Sequence, residues 1–264
     1  MHEHDLSVAI EAARWGAAVV KETFGSVIGA EFKGNANPVT EVDRNSEDRI
    51  LAVIRQHFPG DSVMAEESGG SVWDRGRVWL VDPLDGTVNF IHAIPHVSVS
   101  VALWIDGRPA AAVVIDVTRG EEFAATTDGG CRSGPDRVSV SLQTELHHSL
   151  IATGFAYDRN LHGASYAENL GNVLIRAQGV RRFGSAALDL GWVACGRYEG
   201  YWEFGVKPWD AAAGILLVAE AGGIVTNHHG DPYQLGESGI VASNGAIHDD
   251  LLAAVRIALP PHIR

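Results

Sequence analysis

The chain opens with two segments in which apolar residues recur every three or four positions. That spacing collects them on one face of a helix, so we predict helices over residues 6–24 and 43–58. The second helix should end at Phe58, because the Pro59-Gly60 pair that follows does not readily continue a helix. Two amphipathic helices are therefore expected before the first long strand.

A short, purely apolar run at residues 78–81 has a different pattern. It is rich in β-branched and aromatic side chains, which predicts a buried strand. Pro83 has no N–H group to donate to a neighbouring strand, so we expect the strand to stop at Asp82. The polar residues that follow would then lie at the carboxyl end of a core strand, where α/β proteins tend to bind ligands.

The remaining pattern divides the chain into two halves. The first half carries two hairpin signals, Asp106-Gly107 and Gly129-Gly130, and the strands predicted around them cover residues 98–105, 110–117, 121–127 and 137–140. From about residue 143, helices are predicted over 166–177, 186–194, 210–221 and 247–259, with strands over 149–152, 198–203, 224–226 and 240–242 and a polar loop over 158–163. No linker separates the halves, so we predict one unit over 1–264, with an α+β subdomain at about 1–142 and an α/β subdomain at 143–264.

Two carboxylates, Asp82 and Asp85, lie three positions apart with the carbonyl of Leu84 between them. Like charges so close together repel each other unless a cation lies between them. A ligand set made only of oxygen atoms suits a hard cation, and Mg²⁺ above all. The alternative is a surface turn with two solvated carboxylates, which is less compatible with a position directly after a buried strand.

Composition restricts the classes of function. No stretch of the chain approaches the roughly 20 apolar residues needed to span a bilayer, and the N-terminus lacks the basic and then apolar profile of a signal peptide. Two cysteines give neither a disulfide framework nor a metal-ligand spacing, so a reducing cytoplasm is expected. A net charge of −13 argues against direct nucleic-acid or membrane binding. Cations bound at one site would make the electrostatic potential positive at that site.

Five motifs together resemble those of the inositol monophosphatases, the Mg²⁺-dependent, lithium-sensitive phosphatases. They are Asp-Pro-Leu-Asp-Gly-Thr-Val-Asn-Phe at 82–90, Ala-Glu-Glu-Ser at 65–68, Pro-Val-Thr-Glu-Val-Asp at 38–43, Pro-Trp-Asp-Ala-Ala-Ala-Gly at 208–214 and Glu-Ala-Gly-Gly at 220–223. They occur in the family's order and span nearly the whole chain, which makes the match far more specific than a single motif. The resemblance implies an α/β fold, a layered α-β-α-β-α sandwich of the inositol monophosphatase and fructose-bisphosphatase type.

The resemblance also implies a set of metal ligands for two or three Mg²⁺ ions. These ligands are the side chains of Glu66, Asp82, Asp85 and Asp210 and the carbonyl of Leu84. The Glu66 carboxylate would also help deprotonate the attacking water, which bound metal makes easier to ionise. An alternative for Asp210 is a favourable partner of a helix dipole, since it stands at the start of a predicted helix.

Thr87 and Asp43 are implied to hold the attacking water. For each, the alternative is a helix N-cap, a position that both residue types occupy well. Glu203 matches the family position that binds inositol hydroxyls, and its alternative is a charge at a strand edge. The other implied substrate contacts are Asp85, Gly86, Thr87, Ser185, Ala186 and Asp210.

The expected reaction is hydrolysis of a small sugar or polyol phosphate, led by inositol 1-phosphate, through attack of a metal-activated water. Fructose 1,6-bisphosphate, histidinol phosphate and 3′-phosphoadenosine 5′-phosphate remain alternative substrates. A hypothesis of another class is a non-catalytic regulatory partner of the transcription machinery. The resemblance further implies a homodimer. The histidines at 92, 96, 147–148 and 228–229 show no recognisable ligand spacing and are expected to be solvated or packed.

Overall fold

The computed structural model describes residues 2–26, 30–33, 37–70, 75–260 and 263. The helices in this part of the chain are α1 (Glu3–Thr23), α2 (Glu41–His57), α3 (Thr87–Ile91), α4 (Arg159–Leu174), α5 (Ala186–Ala194), α6 (Pro208–Glu220) and α7 (His248–Arg256), with a 3-10 helix at Leu146–His148. The strands are β1 (Ala30–Lys33), β2 (Asn37–Thr40), β3 (Ser62–Ala65), β4 (Arg77–Asp85), β5 (Ser98–Ile105), β6 (Arg108–Asp116), β7 (Glu121–Thr126), β8 (Gly130–Ser133), β9 (Asp136–Arg137), β10 (Leu150–Thr153), β11 (Gly179–Arg181), β12 (Gly200–Phe204), β13 (Ile224–Asn227) and β14 (Gly239–Ser243).

The larger sheet contains β3 to β9 side by side in chain order, and its pairs are antiparallel except for β3 and β4. Successive residues of a strand point to opposite faces of the sheet. In β4, Trp79 and Val81 pack into the core beneath α1 and α2, whereas Val78 and Leu80 pack into the core that contains α5 and α6. Because both faces are covered, β4 has a continuous apolar sequence instead of an alternating one.

The smaller sheet has the strand order β11-β10-β12-β14-β13. Its central strand β12 sends Tyr201 towards the core of α5 and α6, and Trp202 towards the core of α4 and α7. The layers are therefore α1 and α2, the larger sheet, α5 and α6, the smaller sheet, and α4 and α7. This arrangement confirms the predicted layered α-β-α-β-α sandwich.

Helices α1 and α2 approach each other closely at a glycine. A Cβ atom added to Gly16 of α1 would lie 2.7 Å from Cδ1 of Ile50 and 2.9 Å from Oγ of Ser46, both in α2. Only a residue without a side chain leaves room for this contact. Gly16 therefore sets how near α2 lies to α1 at Ser46.

The prediction that β4 stops at Asp82 is wrong. The strand continues to Asp85, with Asp82 opposite Ser100 and Asp85 opposite Ser98, so β4 contains one more residue than its partner over this stretch. An extra residue of this kind is a β-bulge, which leaves a residue unpaired and bends the strand. Pro83 is tolerated because it lies within the bulge, where no ladder N–H group is required.

Two further predictions differ from the structure. Residues 158–163 are not a loop but mostly the first turn of α4, where exposed side chains such as Leu161 give no apolar periodicity. Of the strand predicted at 137–140, only Arg137 belongs to a strand, β9, and residues 138–140 are irregular. Val138 and Val140 are apolar because they pack against the core, and the strand that pairs with β7 is β8.

The other predicted helices and strands are found within a few residues of their expected ends, and β1, β2, β3, β8 and β11 were not predicted. Helices α5 and α6 contact strands of both sheets, and the division of the chain near residue 142 stays a prediction. No helix in the described residues has the length and apolar character to cross a membrane.

The central helix layer depends on another close approach, which gives a test. A Cβ atom on Gly214 of α6 would lie 2.5 Å from Cβ of Leu190 in α5, whereas one on Gly171 of α4 meets no atom within 4 Å. Overpacking should lower the free energy of unfolding of Gly214→Val by about 1–3 kcal/mol. Gly171→Val is the matched control and should lose no stability in urea titrations. Equal effects of the two substitutions would contradict the packing argument.

Candidate active site and metal centre

A cleft of about 440 Å³ opens where β3 and β4 end and where α5 and α6 begin. Most of the site residues predicted from the sequence line this cleft: Glu66, Asp82, Leu84, Asp85, Gly86, Thr87, Ala186, Glu203 and Asp210. The other two, Asp43 and Ser185, are hydrogen-bonded to residues that line it. A larger and more open groove of about 600 Å³, between α1 and the turn after β6, contains none of these residues.

The bulge at the end of β4 places the first two carboxylates. Asp82 is buried, and its Oδ1 accepts a hydrogen bond of 3.1 Å from the backbone N–H of Leu84. The hydroxyl of Ser46 in α2 donates to the carbonyl of Pro83 at 2.8 Å, which fixes the bulge against the helix. As a result Asp82, Leu84 and Asp85 all reach the cleft, although a regular strand would direct Asp82 and Asp85 to opposite faces.

Glu66 follows β3 and reaches the cleft because β3 runs parallel to β4. Its backbone N–H donates to the carbonyl of Val81 at 3.2 Å. The buried carboxylate of Glu47, from α2, accepts hydrogen bonds of 2.9 Å from the N–H groups of Glu67 and Ser68. Glu47 therefore holds the loop that carries Glu66, a role that no sequence pattern indicated.

Two carboxylates of the cleft also bind the beginnings of helices. One oxygen of Asp85 accepts hydrogen bonds from the hydroxyl of Ser185 at 2.7 Å and from the N–H of Ala187 in α5 at 2.8 Å. Asp210 accepts from the N–H of Lys207 at 2.8 Å, at the start of α6. Asp210 therefore both interacts with the start of a helix and lines the cleft.

Asp43 and Thr87 form one hydrogen-bonded unit beside the bulge. The Thr87 hydroxyl lies 3.0 Å from Oδ1 of Asp43 and 3.1 Å from the carbonyl oxygen of Leu84. Asp43 is not the N-cap of α2, because Thr40 occupies that position. The carboxylate of Asp43 accepts a hydrogen bond of 2.8 Å from the backbone N–H of Thr40. Thr87 is not an N-cap either, since Gly86 precedes α3 in the left-handed conformation at φ +94°.

Glu203 is not a charge at a strand edge, because β12 lies between β10 and β14. The hydroxyl of the buried Tyr201 donates to its carboxylate at 2.5 Å. Gly154 faces the same carboxylate, and a Cβ atom at Gly154 would overlap it. Glu203 is therefore held in a fixed orientation at the cleft.

The carboxylates of the cleft carry charge at a high energetic cost. Burial, and after it the neighbouring carboxylates, raises the pKa of Asp82 well above its usual value. Burial, and after it the charge of Asp85, raises the pKa of Asp210 to about 8, and burial raises that of Glu203 to about 7. A cation would relieve this repulsion, and carboxylate and carbonyl oxygens are the ligands that Mg²⁺ prefers. The donor set thus fits Mg²⁺.

The comparison with known families agrees with this donor set: the family described as the inositol monophosphatase family matches residues 1–259. The chain belongs to the inositol monophosphatase family. Dependence on Mg²⁺ is typical of this family of phosphatases. The resemblance inferred from the five motifs is thereby confirmed.

Several members of the inositol monophosphatase family are similar along almost their full length. The Inositol-1-monophosphatase of Synechocystis is 43% identical, over 95% of this chain and 88% of the relative. The Nus factor SuhB of Pseudomonas aeruginosa is 40% identical, over 98% of each chain. Among solved structures, the inositol monophosphatase from Anabaena has a TM-score of 0.87 at 40% identity over 99% of both chains. The suhB protein from Bartonella henselae has a TM-score of 0.92 at 35% identity, over 97% of this chain and 100% of that structure.

The sequence did not single out part of the cleft rim. Tyr157, Arg159 and Arg182 line the cleft together with Lys207, which is exposed. Arg159 is the first residue of α4, in the segment predicted to be a polar loop, and Tyr157 lies two residues before it. A signal for Arg182 was present, since it stands three residues before Ser185, but a single arginine carries little information.

The histidines named in the sequence analysis lie in different surroundings. His96 is buried, and burial lowers its pKa to about 4. His147 and His148, however, lie with Glu145 so that one possible ligand atom from each falls within 4.8 Å of the others. This group is exposed and lies outside the residues that line the cleft.

The raised pKa values predict a pH dependence of stability without metal. Asp210 and Glu203 keep protons in the folded state at pH values where the unfolded chain has lost them, so the free energy of unfolding should fall from pH 7 to pH 8. The buried histidines have lowered pKa values and are largely neutral in both states over this range. Urea titrations in EDTA would measure the slope.

Glu203→Gln should flatten that slope, because it removes one of the carboxyl groups whose pKa is raised in the folded protein. Addition of Mg²⁺ should raise stability most at pH 8, since a bound cation favours the charged carboxylates. Exposed Asp48 on α2 provides the control substitution Asp48→Asn, which should leave the slope unchanged. A free energy of unfolding that rises from pH 7 to pH 8 in EDTA would refute the assignment.

Proposed function

We propose that the protein hydrolyses inositol 1-phosphate to inositol and phosphate in an Mg²⁺-dependent reaction. The observation that carries this proposal is the convergence of Glu66, Asp82, Asp85 and Asp210 with a fixed Glu203 in one cleft. The first four supply oxygen ligands for metal, and Glu203 supplies an acceptor for the hydroxyl groups of a polyol.

Two or three Mg²⁺ ions would be held by the side chains of Glu66, Asp82, Asp85 and Asp210 and by the carbonyl of Leu84. When bound, Mg²⁺ supplies Lewis-acid chemistry, which withdraws charge from phosphoryl oxygens and makes water easier to ionise. The chain provides rigidity, because backbone N–H groups of Leu84, Ala187 and Lys207 already hold three of the carboxylates in place.

Thr87 and Glu66 would act on the attacking water. When the Thr87 hydroxyl donates its hydrogen to Asp43, its lone pairs remain free to accept a hydrogen bond from a water in the cleft. Glu66 would accept the proton that the water releases as it attacks phosphorus in line with the leaving oxygen. Asp43 acts through Thr87 and is therefore a positioning residue.

Glu203 would select the alcohol half of the substrate. A carboxylate held by Tyr201 and facing Gly154 can accept hydrogen bonds from hydroxyl groups, which inositol offers on every carbon that carries no phosphate. Ser185 and Ala186 would border this half at the start of α5, and Gly86 would border the phosphate. The name of the Synechocystis relative, Inositol-1-monophosphatase, supports the same substrate.

The test is Mg²⁺-dependent phosphate release from inositol 1-phosphate, fructose 1,6-bisphosphate, histidinol phosphate and 3′-phosphoadenosine 5′-phosphate, with and without lithium. We expect the highest kcat/KM for inositol 1-phosphate, and inhibition by lithium. Glu203→Gln should lower this kcat/KM about 10- to 100-fold, as expected for the loss of a hydrogen bond to a charged group. It should change hydrolysis of p-nitrophenyl phosphate, which has no hydroxyl groups, much less.

The exposed Glu168 on α4 offers a control, because Glu168→Gln removes the same charge outside the cleft. Preference for another substrate in the panel would refute inositol 1-phosphate as the substrate but would not contradict the proposed metal site. No release from any substrate would overturn the phosphatase proposal itself.

A second candidate function is a regulatory partnership with the transcription machinery, as a homodimeric or monomeric protein. It is favoured by the name Nus factor SuhB, which relatives from Pseudomonas aeruginosa and Escherichia coli carry. Asp82→Asn separates the two functions. If the protein binds RNA polymerase complexes, that binding should survive the substitution, whereas phosphate release should be lost. A catalytic function alone predicts no such binding in either protein.

We also propose that the protein forms a homodimer, as the family resemblance implies.

A further inference from the structure

Three cations at the cleft rim form no salt bridge with any carboxylate among the described residues. They are Arg159, Arg182 and Lys207, and all three are exposed. Several other arginines of the chain are paired with carboxylates within 2.9 Å: Arg14, Arg44, Arg77, Arg119 and Arg197. In a protein with a net charge of −13, unpaired cations gathered at one cleft require an explanation.

Two of these cations lie near aromatic rings of the segment that follows β10. The Cζ atom of Arg159 lies 5.5 Å from the ring centroid of Tyr157, and that of Arg182 lies 5.9 Å from the ring centroid of Phe155. Contact with a ring face restrains a guanidinium and leaves the N–H groups in its plane free. These N–H groups match the oxygen atoms of phosphate, to which arginine binds in a bidentate manner.

The surroundings show that this arginine pair borders the substrate space. A Cβ atom on Gly184 would lie 2.3 Å from Nη1 of Arg182, so a glycine at this position makes room for the guanidinium. Arg182 also lies close enough to Glu203 to lower its pKa against the effect of burial. Tyr157 lies close enough to the metal-site carboxylates for their charges to add to the effect of burial and raise its pKa.

The charges of the cleft are consistent with an anion at the pair. Two Mg²⁺ ions would balance the four carboxylates proposed as ligands, and a phosphate monoester would then add a charge of about −1.5 to −2. Arg159 and Arg182 together supply two positive charges that no described carboxylate pairs with.

We propose that Arg159 and Arg182 bind phosphate oxygens of the substrate and thereby raise its affinity beyond what the metal centre supplies. This inference rests on the proposed phosphatase function. The phosphate has two possible sources: the group that is hydrolysed, or a second phosphate on the alcohol half.

The variants are Arg159→Gln, Arg182→Gln and the double substitution. The chain offers matched controls with the same change in charge. Arg181→Gln alters the residue next to Arg182, and Nη1 of Arg181 donates to the carbonyl of Val180. Arg176→Gln alters an arginine that follows α4, and Nη1 of Arg176 donates to the carbonyl of Asn172. Neither control residue lines the cleft. Thermal unfolding of each variant would verify that it is folded.

Each cleft variant should raise KM about tenfold or more, the loss expected for a charge-assisted hydrogen bond, while kcat changes much less. Equal losses for inositol 1-phosphate and fructose 1,6-bisphosphate would assign the pair to the phosphate that is hydrolysed. A loss confined to fructose 1,6-bisphosphate would assign it to the second phosphate. Values of KM equal to those of the controls for both substrates would overturn the proposal.

Binding of inorganic phosphate by calorimetry, in the presence of Mg²⁺, separates this inference from the proposed function. Phosphate binding that both cleft variants weaken would support the arginine pair even if the wild-type protein hydrolysed none of the substrates. Conversely, normal hydrolysis together with unchanged phosphate binding in the variants would refute the pair and leave the phosphatase function intact. Arg182→Lys should recover only part of the lost affinity, since lysine keeps the charge but not the bidentate geometry.

Discussion

The rest of the structure depends on the electrostatic repulsion among several carboxylates that share one partly buried cleft. Each carboxylate raises the energy of the others, and the surrounding elements hold them together despite this repulsion. A chain free to rearrange would move these side chains into water. Here the bulge of β4, the loop after β3 and the starts of α5 and α6 each hold one acid by backbone hydrogen bonds. The packing of the five-layer core supplies the free energy of folding that offsets this local electrostatic repulsion.

The central layer, α5 and α6, holds two of these carboxylates in place through the packing of the whole fold. Both helices begin at the cleft and are covered on both sides by sheets, so their starting points cannot shift without disturbing two cores. Small residues, including the run of alanines and Gly214 in α6, let the helices lie close together. The position of Asp210, at the first turn of α6, is therefore fixed by packing as well as by its own hydrogen bond.

Sequence reasoning identified the residues of the cleft whose signal is local. Asp82, Leu84 and Asp85 stand together in one motif, and the apolar run before them reveals the strand that carries them. It did not find Glu47, Arg159 or Arg182, because their importance arises from contacts across many residues of chain. It also misjudged Pro83, since whether a proline ends a strand or lies in a bulge depends on the register of the neighbouring strand.

One turn of α2 supports three separate parts of the cleft. Asp43 bonds to Thr87, Ser46 to the carbonyl of Pro83, and Glu47 to the loop of Glu66. Residues three and four apart lie on the same helix face, so these contacts move as one body. Gly16 of α1 determines how deeply that body is seated. The spacing between nucleophile, metal and phosphate would thus be set from the outermost helix layer, by a buried residue that does not line the cleft.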